Sequence, residues 1–272
     1  MRPLRIHSFL IHKVSRVLLL LLLLSSCAAM DDNNKQRQVA SVVSYLFPET
    51  QEVPILNSNI AQIMVPFRIG IAFVPDNGSP EYRLPENKRL QLAGQVGDAF
   101  SGYPFVQEIV PVPSVYLKPE GGFANLERVA SLLSLDVIAL ISFDQMQNSG
   151  ASGWSFLYWT GIGAYIVEGD KYAILTSVET TVFDVKSQRM LMRAGGISTI
   201  QGTATLVGFA EHARAARTQG FVDAIDEMIK KLHLEVKIFR EKAVKDPMIK
   251  LLLPKGYDPN EKTNQPENST HQ

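Results

Sequence analysis

The stretch Phe67-Arg68-Ile69-Gly70-Ile71-Ala72-Phe73-Val74, bounded by Pro66 and Pro75, is the strongest indication of the type of fold. Its apolar residues fall on both alternating positions, which is typical of a strand that is buried on both faces. Strands of that kind occupy the centre of a sheet with helices on either side. The stretch therefore predicts a central strand.

The sequence that follows this strand alternates between helical and extended patterns. Residues 86–101 place Leu92, Val96 and Phe100 at helical spacing, which predicts an amphipathic helix. Phe105–Leu117 is rich in Val, Ile and Tyr but contains two prolines that cannot donate ladder hydrogen bonds. This second segment is therefore predicted as an edge or bulged strand.

A second helix and a second buried strand complete the first half of the sheet. Asn125 is predicted to cap a helix whose apolar face carries Leu126, Val129 and Leu133. The run Val137-Ile138-Ala139-Leu140-Ile141 follows as a fully buried strand. The order β-α-β-α-β results.

The sequence of the second half of the chain predicts a β-hairpin followed by one long helix. Tyr172–Asp184 alternates as a long strand, with a partner strand at Arg189–Arg193, and residues 206–244 are mostly helical. The glycine pairs Gly121-Gly122 and Gly195-Gly196 are interpreted as turns. Together these elements predict an α/β or α+β fold, a single-domain sandwich with a mixed β-sheet and packed helices.

Composition and charge exclude several classes of function. The 272 residues are 46% apolar, as in an ordinary globular protein. Lys plus Arg and Asp plus Glu both number 27, so there is no overall basic field to collect nucleic acid. We expect no nucleic-acid partner.

The N-terminus has the pattern of an export signal. A basic region containing Arg2, Arg5 and Lys13 precedes the short apolar run Val17–Leu24, which is too short to span a bilayer. The sequence Leu24-Ser25-Ser26-Cys27 is similar to a bacterial lipobox, which predicts cleavage between Ser26 and Cys27 and lipidation of Cys27. Because Cys27 is the only cysteine, it cannot form an intramolecular disulfide.

The predicted lipid places the mature protein on a membrane through an anchor and not through a spanning segment. Ala28 follows the cysteine where aspartate is the usual inner-membrane retention signal, so the outer membrane, periplasmic face, is the expected location. We predict four regions: a signal peptide at 1–26, a lipidated N-terminus and tether at 27–38, a globular α/β domain at 39–253, and a disordered tail at 254–272.

Motifs for catalysis and cofactor binding are scarce. The sequence contains no H-E-x-x-H zinc motif, no G-x-S-x-G elbow and no phosphate-cradling glycine loop, so no metal, no cofactor and no catalytic residue is predicted. One alternative stays open: Asp144 and Glu179 could meet across the sheet and act as an acid/base pair in an envelope hydrolase. The protein is otherwise expected not to be an enzyme.

An uncharged aromatic run, Trp154–Val167, is the strongest local anomaly. Its amphipathic rings, Trp154, Tyr158, Trp159 and Tyr165, suit a protein interface, a membrane interface or a core hairpin. We take these four residues as candidate partner-binding residues, with an envelope protein as the expected partner.

Five blocks carry a resemblance to a known family, in this order: Ser41-Val42-Val43-Ser44-Tyr45-Leu46-Phe47-Pro48, Tyr103-Pro104-Phe105-Val106, Gly121-Gly122-Phe123-Ala124-Asn125-Leu126, Asp136-Val137-Ile138-Ala139-Leu140, and Tyr158-Trp159 with Gly163-Ala164-Tyr165. From Cys27 to Lys242 the chain resembles the rhombotarget lipoprotein family. The resemblance implies association with rhombosortase, an intramembrane rhomboid-like protease whose substrates end in Gly-Gly and a transmembrane tail. The polar C-terminus of this chain departs from such a substrate, which favours an accessory role.

The fold is also similar, at the level of architecture, to periplasmic assembly lipoproteins such as the curli secretion channel subunit, and such an analogy transfers no function. The sequence therefore predicts an outer-membrane-anchored, non-catalytic binding protein in an envelope processing or secretion pathway. An oligomeric export component is the other alternative, and the oligomeric state stays open.

Overall fold

The computed structural model describes residues 34–48, 60–76, 78–151, 157 and 163–253. The strands of this part of the chain are β1 (Asn34–Ala40), β2 (Ala61–Met64), β3 (Phe67–Phe73), β4 (Val106–Pro111), β5 (Val137–Ala151), β6 (Asp170–Asp184), β7 (Arg189–Ala204) and β8 (Ile249–Leu252). The α-helices are α1 (Val42–Leu46), α2 (Glu86–Asp98), α3 (Gly122–Leu133), α4 (Gly163–Ile166) and α5 (Phe209–Ala243). A short 3₁₀ helix spans Ser114–Tyr116.

Six of these strands form one mixed sheet in the order β4-β3-β5-β6-β7, with β1 paired to β5. Strand β3 runs parallel to both β4 and β5, with Gly70 opposite Val110 on one side and Ile138 on the other. Strands β5 and β6 are antiparallel, since the contacts Ser142–Glu179 and Gln145–Thr176 step in opposite directions along the two strands. The predicted fold class, a mixed β-sheet with packed helices, is confirmed.

The central position predicted for β3 follows from its two apolar faces. A Cβ on Gly97 of α2 would lie 2.7 Å from Ile109 and 3.6 Å from Ile71, so α2 packs on the face that carries Ile71. A Cβ on Gly70 would lie 2.5 Å from Leu135, which directly follows α3. Because neighbouring residues of a strand point to opposite faces, α2 and α3 cover opposite faces of the sheet.

Several predicted boundaries hold and others change. The helices predicted at 86–101 and 206–244 appear as α2 and α5, and the proline-containing strand β4 lies at the sheet edge as predicted. Asn125 does not cap α3, which begins at Gly122. Instead, Asn125 Oδ1 accepts hydrogen bonds from the Tyr45 hydroxyl and the Lys118 N–H, both at 2.9 Å.

The polar residues 34–38 were assigned to the tether, but they lie in β1. Their inward-facing side chains are glutamines, which carry no apolar signal, so the strand could not be seen from hydropathy. The pairing of β2 with β8 also has no sequence signal, because the two strands are far apart in the chain.

The glycine pairs have different structural reasons. Gly122 has φ of +62° at the start of α3, as a turn residue should. Gly195 and Gly196 lie within β7 and form no turn, so that interpretation was wrong for them. A Cβ on Gly196 would stand 1.9 Å from the carbonyl oxygen of Ala224, so glycine is needed there for the close approach of α5 to the strand.

The described residues group into two compact units. The larger unit comprises the described parts of 36–147, 173–201 and 211–253, and it holds the main apolar core, including Phe73, Leu140, Ile141 and Phe221. The smaller unit comprises 34–35, the described parts of 148–172, and 202–210.

Candidate functional site

The predicted partner-binding residues fall only in part within the described chain. Trp154, Tyr158 and Trp159 lie outside the described residues. Tyr165 belongs to the four-residue helix α4 in the smaller unit, where it is 69% exposed, and its neighbour Ile166 is 71% exposed. Both side chains are therefore available to another molecule as far as the described residues are concerned.

Two further exposed apolar residues, Leu206 (50%) and Val207 (57%), follow the end of β7 in the smaller unit. Strands β6 and β7 form a hairpin whose turn is at 185–188, so the start of β6 and the end of β7 lie at the same end of that hairpin. The Thr203 hydroxyl donates a 2.7 Å hydrogen bond to the Glu168 carboxylate across this end. We call Tyr165, Ile166, Leu206 and Val207 the apolar end.

A packed base supports the apolar end within the smaller unit. The rings of Tyr172 and Phe209 meet edge to face, with centroids 6.0 Å apart and an interplanar angle of 78°. The Tyr172 ring also lies over Gly202, where a Cβ would stand 2.4 Å from its hydroxyl oxygen. These contacts join the start of β6 to the end of β7 and to the first residue of α5. Leu206 and Val207 carried no motif, and a spacing argument could not have found them.

The two carboxylates considered for catalysis share a face of the sheet but have separate partners. Asp144 accepts two hydrogen bonds from Arg37, at 2.9 and 2.5 Å, and the same contact raises the pKa of Arg37. Glu179 is half-buried and accepts a 3.4 Å hydrogen bond from Thr181. No contact between Asp144 and Glu179 occurs, and an acid/base role for them stays a prediction.

His233, one of the two histidines on the long helix α5, is part of an aromatic cluster in the larger unit. His233 Nδ1 lies 2.8 Å from the Tyr103 hydroxyl, and its ring stacks on Phe100 with centroids 4.6 Å apart. Desolvation lowers the pKa of His233 and raises that of Tyr103. The described residues contain no group of three His, Cys, Asp or Glu side chains that could hold a metal ion.

A buried ionic cluster in the larger unit was not foreseen. The Asp76 carboxylate is almost fully buried and bonds to Arg89 on one oxygen and to Arg83 on the other, the latter at 3.1 Å. The Gly78 N–H also donates to Asp76 at 3.0 Å. Asp76 follows β3 by three residues and its partners come from the next loop and helix, so sequence spacing alone gives no hint of the cluster.

A second buried cation, Arg217 of α5, has a different environment. Its guanidinium donates a 2.6 Å hydrogen bond to Gln147 and lies 4.9 Å from the centre of the Tyr82 ring. Desolvation lowers the pKa of Arg217, and no salt bridge to a carboxylate compensates it among the described residues. Gln38 of β1 is also buried, and neither of its amide atoms has a hydrogen-bond partner among the described residues.

The predicted lipidation site and cleavage bond, Cys27 and Ser26, lie outside the described residues. Within the described part of the chain, no helix combines the length and the apolarity that crossing a bilayer requires.

No family model matches the chain, and no curated protein matches it either. Among solved structures, a neuraminyllactose-binding hemagglutinin homolog from Helicobacter pylori is 8% identical, with a TM-score of 0.35, covering 74% of this chain and 98% of its own. A PelC dodecamer from Paraburkholderia phytofirmans is 11% identical, with a TM-score of 0.24, covering 70% and 99%. At these TM-scores neither likeness carries a functional argument.

Proposed function

We propose that this chain is a lipid-anchored protein on the periplasmic face of the outer membrane that binds another envelope protein through the apolar end. Its role is that of a non-catalytic accessory in an envelope processing or secretion pathway. The observation that carries the proposal is the exposure of Tyr165, Ile166, Leu206 and Val207 together at one end of the β6–β7 hairpin.

Exposed single apolar residues are common, but a group of them at one place marks an interaction surface. An aromatic ring with a polar tip, such as Tyr165, contributes strongly at protein interfaces because it buries a large area and loses little conformational entropy. The candidate residues Trp154, Tyr158 and Trp159 belong to the same run of sequence and have the same chemistry. A protein partner uses all of these groups.

The binding test compares variants in intact cells. Tyr165→Ser combined with Leu206→Ser removes an exposed apolar group from each side of the apolar end. The matched control is Leu132→Ser, since Leu132 is 66% exposed on α3 in the larger unit. After crosslinking and affinity purification, a discrete envelope partner should be lost in the double variant and retained in the control. Equal recovery of the partner from both variants contradicts this surface.

The anchor is tested separately. Cys27→Ala should abolish incorporation of labelled palmitate and shift the protein from the membrane fraction to the periplasmic fraction, because acyl chains supply the membrane affinity. The matched control, Ser25→Ala, keeps a small residue at its position and should leave labelling intact. Unchanged labelling in Cys27→Ala contradicts the anchor.

A further inference from the structure

A cavity of about 370 Å³ with mixed polar and apolar lining lies in the larger unit, where the loops that follow β3 and β4 contribute to it. Its volume is within the range of about 300 to 1,000 Å³ that small-molecule sites occupy. Residues from three segments line it: Arg37 and Ser41 around the end of β1, Pro75 after β3, and Glu120 after β4. Neither the apolar end nor the predicted lipid anchor contributes to it.

The position of the cavity follows from the chain path. After β3 the chain continues into α2 on one face of the sheet, and after β4 it continues into α3 on the opposite face. Adjacent parallel strands whose connections leave toward opposite faces open a crevice at their carboxyl ends, and ligands of open α/β sheets bind in that crevice. The cavity is this crevice, closed on its third side by β1 and α1.

One wall of the cavity donates hydrogen bonds. Arg37 gives its Nε and one Nη2 hydrogen to Asp144, and its Nη1 group has no acceptor among the described residues. Ser41 Oγ accepts the Ser44 N–H at 3.3 Å, which leaves the Ser41 hydroxyl hydrogen to donate. A guanidinium edge beside a hydroxyl is a suitable partner for a carboxylate.

The lining also includes an acid, Glu120, in an unfavourable backbone conformation. Glu120 has φ of +57°, in the left-handed region, although glycines are available in the next two positions. A non-glycine residue held there costs free energy, and such residues cluster at ligand sites. Glu120 is therefore an acidic residue in the lining of the cavity that also contains Arg37.

We propose that this cavity binds a small zwitterion, a free amino acid or a dipeptide, with its carboxylate on Arg37 and Ser41 and its ammonium group on Glu120. A zwitterion can use both the free guanidinium edge of Arg37 and the carboxylate of Glu120, whereas a simple anion gains nothing from Glu120 and a simple cation gains nothing from Arg37. The site is independent of the proposed partner surface in the smaller unit.

The first experiment expresses the whole sequence, purifies the resulting protein in detergent micelles and titrates it by calorimetry. The probes are L-alanine, L-alanyl-L-alanine, the N-acetylated dipeptide and the dipeptide amide. Saturable binding of alanine or of the dipeptide is expected. The probe that binds more tightly shows whether the ligand class is the free amino acid or the dipeptide. Each blocked dipeptide should bind at least about tenfold more weakly, because it lacks one charge. Equal binding of blocked and free dipeptides overturns the proposal, as does no binding of any probe up to about 10 mM.

Variants then locate the two contacts. Arg37→Gln and Glu120→Gln should each weaken binding at least about tenfold, while Asp144→Asn should strengthen it by releasing the rest of the Arg37 guanidinium. The exposed residues Arg128 and Glu81 provide the matched controls Arg128→Gln and Glu81→Gln, which should bind normally. Thermal unfolding of each variant identifies any that fail to fold. Folded Arg37→Gln and Glu120→Gln proteins that bind as tightly as the native protein overturn the assignment.

Discussion

The two units of the molecule depart from ordinary globular packing in opposite ways. The larger unit buries charge, with Asp76 and Arg89 inside its core, whereas the smaller unit exposes apolar groups at Tyr165 and Ile166. Burying a charge costs free energy unless a partner compensates it, and exposing an apolar group forgoes stabilisation. The larger unit also exposes single apolar side chains such as Leu132, so the contrast lies in its buried ion pair and in the grouping of exposed apolar residues at the apolar end, which we propose contacts another molecule.

The largest expected effect is in the buried cluster. Asp76→Asn removes the carboxylate from buried Arg89 and leaves an uncompensated cation, which should lower the free energy of unfolding by about 3 to 5 kcal/mol. Urea denaturation measures the loss. The matched substitution Glu108→Gln, on the exposed partner of Arg68, should cost less than about 1 kcal/mol. Similar losses in the two variants would remove the distinction between buried and surface ion pairs.

Backbone packing gives the next largest effect. Gly196→Ala places a methyl group 1.9 Å from the Ala224 carbonyl oxygen, so α5 must move away from β7. The expected loss is about 3 kcal/mol, at the upper end for overpacking. The control is Gly94→Ala in α2, where nothing lies within 4 Å of the new Cβ. Because alanine favours helix over glycine, that variant should gain up to about 1 kcal/mol in thermal or urea unfolding.

One substitution in the larger unit is expected to stabilise the protein. Gln38→Leu replaces a buried side chain whose two amide atoms have no described partner with an apolar one of similar size. Removing the desolvation penalty should raise stability by about 1 to 3 kcal/mol. The exposed neighbour Val39 offers the control Val39→Leu, which should change little. A destabilised Gln38→Leu protein would mean that the glutamine makes a compensating interaction.

Substitutions at the apolar end of the smaller unit should reduce partner binding and leave the stability of the protein nearly unchanged. Tyr165→Ser and Ile166→Ser together should change the free energy of unfolding by less than about 0.5 kcal/mol, because both side chains are exposed in the folded chain. Partner capture should nevertheless fall. A large loss of stability in this double variant would place the two residues in a core and cancel the contrast between the units.

The smallest expected effect is a pH dependence centred on His233. Desolvation lowers its pKa in the folded protein, so the unfolded chain binds the extra proton first as pH falls below about 6.5. Stability from this group is therefore complete above that value and declines at lower pH, toward the folded pKa. Urea midpoints at about pH 8 and pH 5.5 should differ more for the native protein than for His233→Gln, whose side chain does not titrate. An equal difference in both proteins would assign the pH dependence to other groups.

Sequence periodicity predicted the strands and helices whose apolar residues recur at regular spacing. Strand β3, the buried start of β5, and helices α2 and α5 were all foreseen, because their apolar residues repeat with the period of the element. Strand β1 was missed since Gln36 and Gln38 point inward, and most of β7 was missed because Gly195-Gly196 resembles a turn. The reason for Gly196 lies in Ala224, which only the tertiary structure brings to it.

The candidate site was predictable in part for a similar reason. Composition singled out the aromatic run and hence Tyr165, but Leu206 and Val207 join it only through the pairing of β6 with β7. The cavity beside Arg37 and Glu120 depends on which face each helix takes, and the buried ion pair depends on contacts between separate loops. No local pattern encodes these long-range relations.

The distance between the sheet and Cys27 is limited by the short segment that joins them. Strand β1 begins at Asn34, seven residues after Cys27. Even a fully extended segment of that length reaches only about 25 Å. Once Cys27 carries its predicted lipid, the folded body is confined to a thin layer next to the bilayer, where the effective concentration of any membrane-bound partner is raised without a single added contact.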